Sequence, residues 1–127
     1  MAHRETGNYP EALFHAEQAL KLESDRPNAL VTLGITYSKL GQDLNAYNYF
    51  SKASREGIVS VDLYNNWAVS SFKLGRVDDT IQLVKNAINL HPDHAESHYN
   101  LGITYSSKGM LQEAQKEMGL AMQLRSK

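Results

Sequence analysis

Gly7, Gly41, Gly75 and Gly109 stand at three successive steps of 34 residues, and two further columns keep the same register. Ala19, Ala53, Ala87 and Ala121 lie twelve residues after each glycine, and Ala12, Ala46, Thr80 and Ala114 five residues after it. Shorter columns agree: Gly34, Ala68 and Gly102 form one, Leu33, Trp67 and Leu101 another. Self-similarity at a fixed interval of this length marks a chain built from one supersecondary unit used several times, which narrows the possible folds more than any other feature here.

The unit can be read from HPDHAESHYNLGITYSSKGMLQEAQKEMGLAMQL. Pro92 stops one helix, Asp93 can cap the next, and a helix is expected over about 95–108. Leu101, Gly102 and Tyr105 fall on one stripe of it. Gly109 then closes that helix, because glycine takes up the left-handed conformation of a tight cap without steric cost. In a second helix Ala114, Met118, Ala121 and Met122 again share a face. The unit is a helical hairpin, and its small residues allow close approach of neighbouring helices. Seven helices are expected, over about 10–23, 28–40, 44–56, 61–74, 78–90, 95–108 and 112–125, with no strands.

Composition removes several function classes. The 127 residues carry 13 Lys plus Arg against 14 Asp plus Glu, a formal charge of −1 without charged blocks, which is unlike a general nucleic-acid binder. No apolar run reaches the length of about 18 residues that membrane insertion needs, and the opening segment lacks a secretory signal. Cysteine is absent, so disulfides, thiolate metal sites and a cysteine nucleophile are excluded. The compartment stays open, the cytoplasm being the simpler expectation.

A 34-residue helix–turn–helix with this pattern resembles the tetratricopeptide repeat, TPR. Over 28–60 the matching residues are Leu30, Leu33, Gly34, Tyr37, Gly41, Ala46, Phe50 and Ala53; over 95–125 they are Leu101, Gly102, Tyr105, Gly109, Ala114 and Ala121. The middle unit keeps Tyr64, Ala68, Gly75, Ala87 and Pro92 but has Trp67 for leucine, Ser71 for tyrosine and Thr80 for alanine, with Phe72 expected to fill the space Ser71 leaves. The resemblance implies an all-α, right-handed superhelical α-solenoid of antiparallel helix–turn–helix repeats. The chain is expected to be a single TPR array over 1–127: a partial repeat at 10–26 holding the second helix only, then full repeats at 27–60, 61–94 and 95–127. The simplest account of these ends is a stretch taken from a longer repeat protein.

In this family the first helices of successive hairpins line a concave groove, so the resemblance implies that a protein or peptide partner binds there. The expected groove residues are Val31, Thr32 and Ile35, then Asn65, Asn66, Val69 and Lys73, then Tyr99, Asn100 and Ile103. An apolar stripe flanked by amides suits an extended or helical peptide with apolar anchors. Some relatives hold a terminal carboxylate with lysine, arginine and asparagine, but Glu96 and Asn100 stand where that clamp needs cations. The chain better resembles the repeat domain of O-linked N-acetylglucosamine transferases, and that resemblance implies a ladder of asparagines at the sixth repeat position that holds a peptide backbone. The sixth repeat position reads Thr32, Asn66, Asn100, and an amide can satisfy a main chain of any sequence.

His94 and His98, four apart and with Asp93 nearby, are the one constellation with metal-ligand spacing. In the family pattern, however, those positions are polar loop and packing sites, so no metal is expected. There is no nucleophile elbow, phosphate loop or His-Glu-x-x-His helix, so neither an enzyme nor a cofactor is expected. The expected function is that of a protein–protein interaction module. The alternative is a self-assembling scaffold that associates through apolar ends of the array, where Leu13, Ala16, Ala19 and Leu20 lack the first helix of their repeat and Leu111, Met118, Met122 and Leu124 lack a following hairpin.

Overall fold

A computed structural model describes residues 2–21 and 26–126. Within them the chain forms seven α-helices and no strands: α1 (Ala2–Ala19), α2 (Arg26–Lys39), α3 (Asp43–Arg55), α4 (Val61–Lys73), α5 (Val77–Leu90), α6 (Ala95–Ser107) and α7 (Leu111–Arg125). The last six depart from the expected bounds by no more than two residues at either end. The chain divides into two compact units, Met1–Val59 and Ser60–Lys127.

The turn chemistry is that of the glycine column. Gly41, Gly75 and Gly109 have φ of 79, 80 and 85°, the left-handed region where a Cβ is penalised. At each of them the chain closes α2, α4 and α6 and reverses within three residues into the next helix. Gly7 departs from the column. It lies inside α1, which begins at Ala2 and carries Pro10 in its interior, whereas a turn at Gly7 and a helix from about residue 10 were expected. The expected end of that helix, residues 22–23, lies outside the described residues.

In the first unit α1 packs on α2 and α2 on α3. Leu30, Leu33, Ala46, Phe50 and Ala53 are buried there. A Cβ on Gly34 would stand 2.5 Å from the Phe50 ring, so the ring occupies the space the glycine vacates. Arg26 and Glu56 join the start of α2 to the end of α3 at 2.7 Å.

In the second unit the hairpins α4–α5 and α6–α7 share a core of Ala68, Leu83, Val84, Leu101, Tyr105 and Ala114. The Ser60 hydroxyl caps α4 by accepting from Leu63 N at 3.0 Å. The expected Asp93 cap of α6 does not form. His94 is the cap residue, without a side-chain bond to the helix backbone; its Nδ1 faces Ser97 Oγ at 2.7 Å, one turn into the helix.

Candidate functional site

The expected groove residues lie on α2, α4 and α6, and the structure treats them unequally. In the second unit Val69 and Lys73 of α4 and Asn100 and Ile103 of α6 come together around one cleft of about 210 Å³, whose wall also includes Ala68, Phe72, Thr80, Val84 and Thr104. Val69 is 38% exposed at its rim, while Val84, Ala68, Thr80 and Thr104 are buried at its base. In the first unit Thr32 lines a separate concavity of about 350 Å³ with Ala12, His15, Ala16, Ala19, Asn28 and Ala29, between α1 and α2. Val31 and Ile35 are half-buried on α2.

Two expected residues are placed otherwise. Asn65 is only 6% exposed, and its Nδ2 donates to Ser97 Oγ at 2.9 Å, joining α4 to α6. It serves packing within the unit, because the polar partner it needs is on the adjacent helix and not in solvent. Tyr99 does not line the cleft; the Arg125 guanidinium of α7 lies 5.0 Å from its ring centre, a cation–π contact.

The two asparagines of the sixth repeat position also differ. Asn66 is half-buried and its Nδ2 donates to Asp62 O of its own helix at 2.9 Å. Asn100 Nδ2 is buried with no hydrogen-bond partner. An unmatched buried donor carries a desolvation cost, which a main-chain carbonyl would relieve. Phe72, expected to fill the space beside Ser71, stands instead on the wall of the open cleft, and Ser71 Oγ donates to Arg76 O at 3.0 Å.

The histidines do not converge on a common ligand. His98 faces two acceptors, with Nδ1 2.7 Å from Glu117 Oε1 and Nε2 2.7 Å from Pro92 O. Burial works against its charged form, but the bonds to Glu117 and Pro92 and the charges of Glu117 and Asp93 outweigh burial and raise its pKa above the usual value. Among the described residues no three His, Cys, Asp or Glu side chains gather as a metal set.

A column of buried hydroxyls, not among the expected site residues, runs along the first helices of the hairpins. Thr36, Ser70 and Thr104 share one repeat position and are all buried. Thr36 Oγ1 donates to Thr32 O and Thr104 Oγ1 to Asn100 O, each at 2.8 Å, so the two threonines are satisfied one turn back on their own helix, whereas Ser70 Oγ is buried without a partner. The same 34-residue register would have shown them.

Residues 5–87 match the family model described as anaphase-promoting complex, cyclosome, subunit 3, and residues 83–116 match the one described as tetratricopeptide repeat. A relative of similar sequence is photosystem I assembly protein Ycf3 of Cuscuta obtusiflora, 29% identical over 126 residues, which covers 85% of this chain and 75% of that protein. Among solved structures, MamA superposes with a TM-score of 0.88 at 23% identity, over 97% of this chain and 72% of that one. MamA from Desulfovibrio magneticus RS-1 does so at 0.85 and 19%, over 95% and 68%. At that identity the likeness shows the fold alone. No helix among the described residues is long and apolar enough to cross a membrane.

Proposed function

The chain belongs to the tetratricopeptide-repeat family, whose part is protein interaction or assembly, and from that premise we propose that it holds a segment of a partner protein against the groove face that α4 and α6 form within the second unit. The observation that carries this reading is the convergence of Val69, Lys73, Asn100 and Ile103 on one cleft. The cleft pairs an apolar wall with an unmatched amide donor, the combination an extended segment needs for its side chains and its main chain. Asn66 extends this surface within the second unit, and Val31, Thr32 and Ile35 form a surface of their own on α2 of the first in this reading.

A peptide selected from a random library on the intact chain tests it. Affinity on the order of micromolar is expected for a flexible ligand on a small surface. Replacing Val69 and Ile103 together by glutamate abolishes binding while helicity stays unchanged. Undiminished affinity of that variant would overturn the groove.

A second reading, self-assembly through the closing helix, is favoured by the exposure of Leu111 at 61% and Met122 at 70% on α7. The relative named for photosystem I assembly is in keeping with an assembly role of some kind. Sedimentation across protein concentration tests it: mass must rise with concentration and fall back to monomer on Met122→Lys. A constant monomer mass excludes it.

A further inference from the structure

The cleft lies where the middle hairpin carries less side-chain volume than its neighbours. At the repeat position of Val84, which lines the cleft, the chain has Phe50, Val84 and Met118. The first and last hairpins thus carry large side chains there, and the middle one carries an isopropyl group. Ala68 compensates in part, since it stands where Gly34 and Gly102 stand and its methyl group takes some of the space that Phe50 and Met118 fill in their own hairpins. The remainder is the cleft of about 210 Å³. Dry apolar cavities of roughly 150 Å³ accept a benzene ring.

The walls restrict the occupant further. Thr80 Oγ1 donates to Arg76 O and Thr104 Oγ1 to Asn100 O, each at 2.8 Å, so both hydroxyl protons are already engaged. Asn100 Nδ2 is the donor left unmatched, and the terminal torsion of an amide is soft enough to turn it toward a ligand. Lys73 is the single charged side chain among the described residues that line the cleft, and it is exposed. No carboxylate among those residues answers it.

Resting on the groove reading above, we propose that this cleft is a pocket for an aromatic side chain of the bound segment, flanked by an acidic residue at Lys73, with a main-chain carbonyl of the segment on Asn100 Nδ2. The ring supplies the volume the hairpin lacks. The acid supplies charge complementarity, and the carbonyl relieves the unmatched amide.

Three blocked dipeptides, Ac-Phe-Asp-NH2, Ac-Ala-Asp-NH2 and Ac-Phe-Lys-NH2, titrated into the isotope-labelled intact chain, test the pocket by nuclear magnetic resonance. Ac-Phe-Asp-NH2 is expected to give saturable shifts at Val69, Phe72, Ile103 and the Asn100 side-chain amide. Ac-Ala-Asp-NH2 should bind about tenfold or more weakly, because it leaves the cleft unfilled. Ac-Phe-Lys-NH2 should bind about threefold more weakly at low salt. Restoring the Gly34–Phe50 pairing with Ala68→Gly/Val84→Phe fills the pocket and should abolish the shifts. Val69→Glu at the exposed rim does so without touching the base, and it serves if the double variant fails to fold. Equal affinity for the phenylalanine and alanine peptides, absence of saturation, or full binding by Val69→Glu overturns the pocket. Equal affinity for the aspartate and lysine peptides overturns the acidic flank. The dipeptides reach only the cleft, so their failure leaves library peptides on the wider groove as an independent result, and failure of those peptides leaves the dipeptide titration interpretable.

Discussion

His98 Nδ1 and Glu117 Oε1 stand 2.7 Å apart, tying α6 to α7, while the other ring nitrogen meets Pro92 O at the same distance. Two acceptors on one imidazole are both satisfied only when both nitrogens carry a proton. When His98 is protonated the pair is a partly buried imidazolium–carboxylate contact inside the closing hairpin, and the raised pKa of His98 follows because these bonds outweigh burial.

The folded pKa of His98 lies above the ordinary 6.5, so its contribution to stability is full below 6.5 and is lost as pH rises through the higher folded value. Urea midpoints should therefore fall across that interval in the parent chain and stay flat in His98→Gln. A midpoint with the same pH dependence in both proteins would remove the imidazolium from the account. The His98 ring proton shifts report the same titration directly.

Gly34→Ala should destabilise the first unit by about 1–3 kcal/mol, since the new methyl group would fall 2.5 Å from the Phe50 ring and a filled core resists overpacking. Phe50→Leu combined with it should cost less than the sum of the two single changes, because the smaller side chain clears the clash. Strict additivity in denaturant melts would show that the ring and the glycine are not coupled.

Gly75→Val should cost on the order of 1 kcal/mol or more, because φ of 80° is disfavoured by a β-branched side chain. The space around Gly75 is open, so strain and not collision is the cause. Gly75→Asn should recover part of the loss, as asparagine tolerates the left-handed region better. Thermal melts followed by dichroism compare the three proteins.

Ser60→Ala should lower stability by about 1 kcal/mol through loss of the cap on Leu63 N, and Ser60→Asp should restore it. Equal stability of the alanine variant would mean that water replaces the hydroxyl at no cost. Amide exchange at Leu63 provides a local measure of the same bond.

The 34-residue register, the six helices from α2 to α7 and the three turn glycines were legible in the sequence, because each rests on contacts between residues close along the chain. The same local logic failed at Gly7, which shares the glycine column but lies inside α1. The groove was legible only as a set of helix faces. Tertiary structure alone decided that Asn65 turns inward to Ser97, 32 residues away, while Val69, Lys73, Asn100 and Ile103 meet around a cleft. It also paired His98 with Glu117, 19 residues on. Periodicity assigns a residue to a face, but whether a polar group on that face meets solvent or a partner depends on the side chains that the neighbouring helix brings opposite it. The cleft depends in turn on how far Phe72 and Ala68 make up for the larger side chain missing at Val84, a question of three-dimensional volume that no single column of the repeat contains.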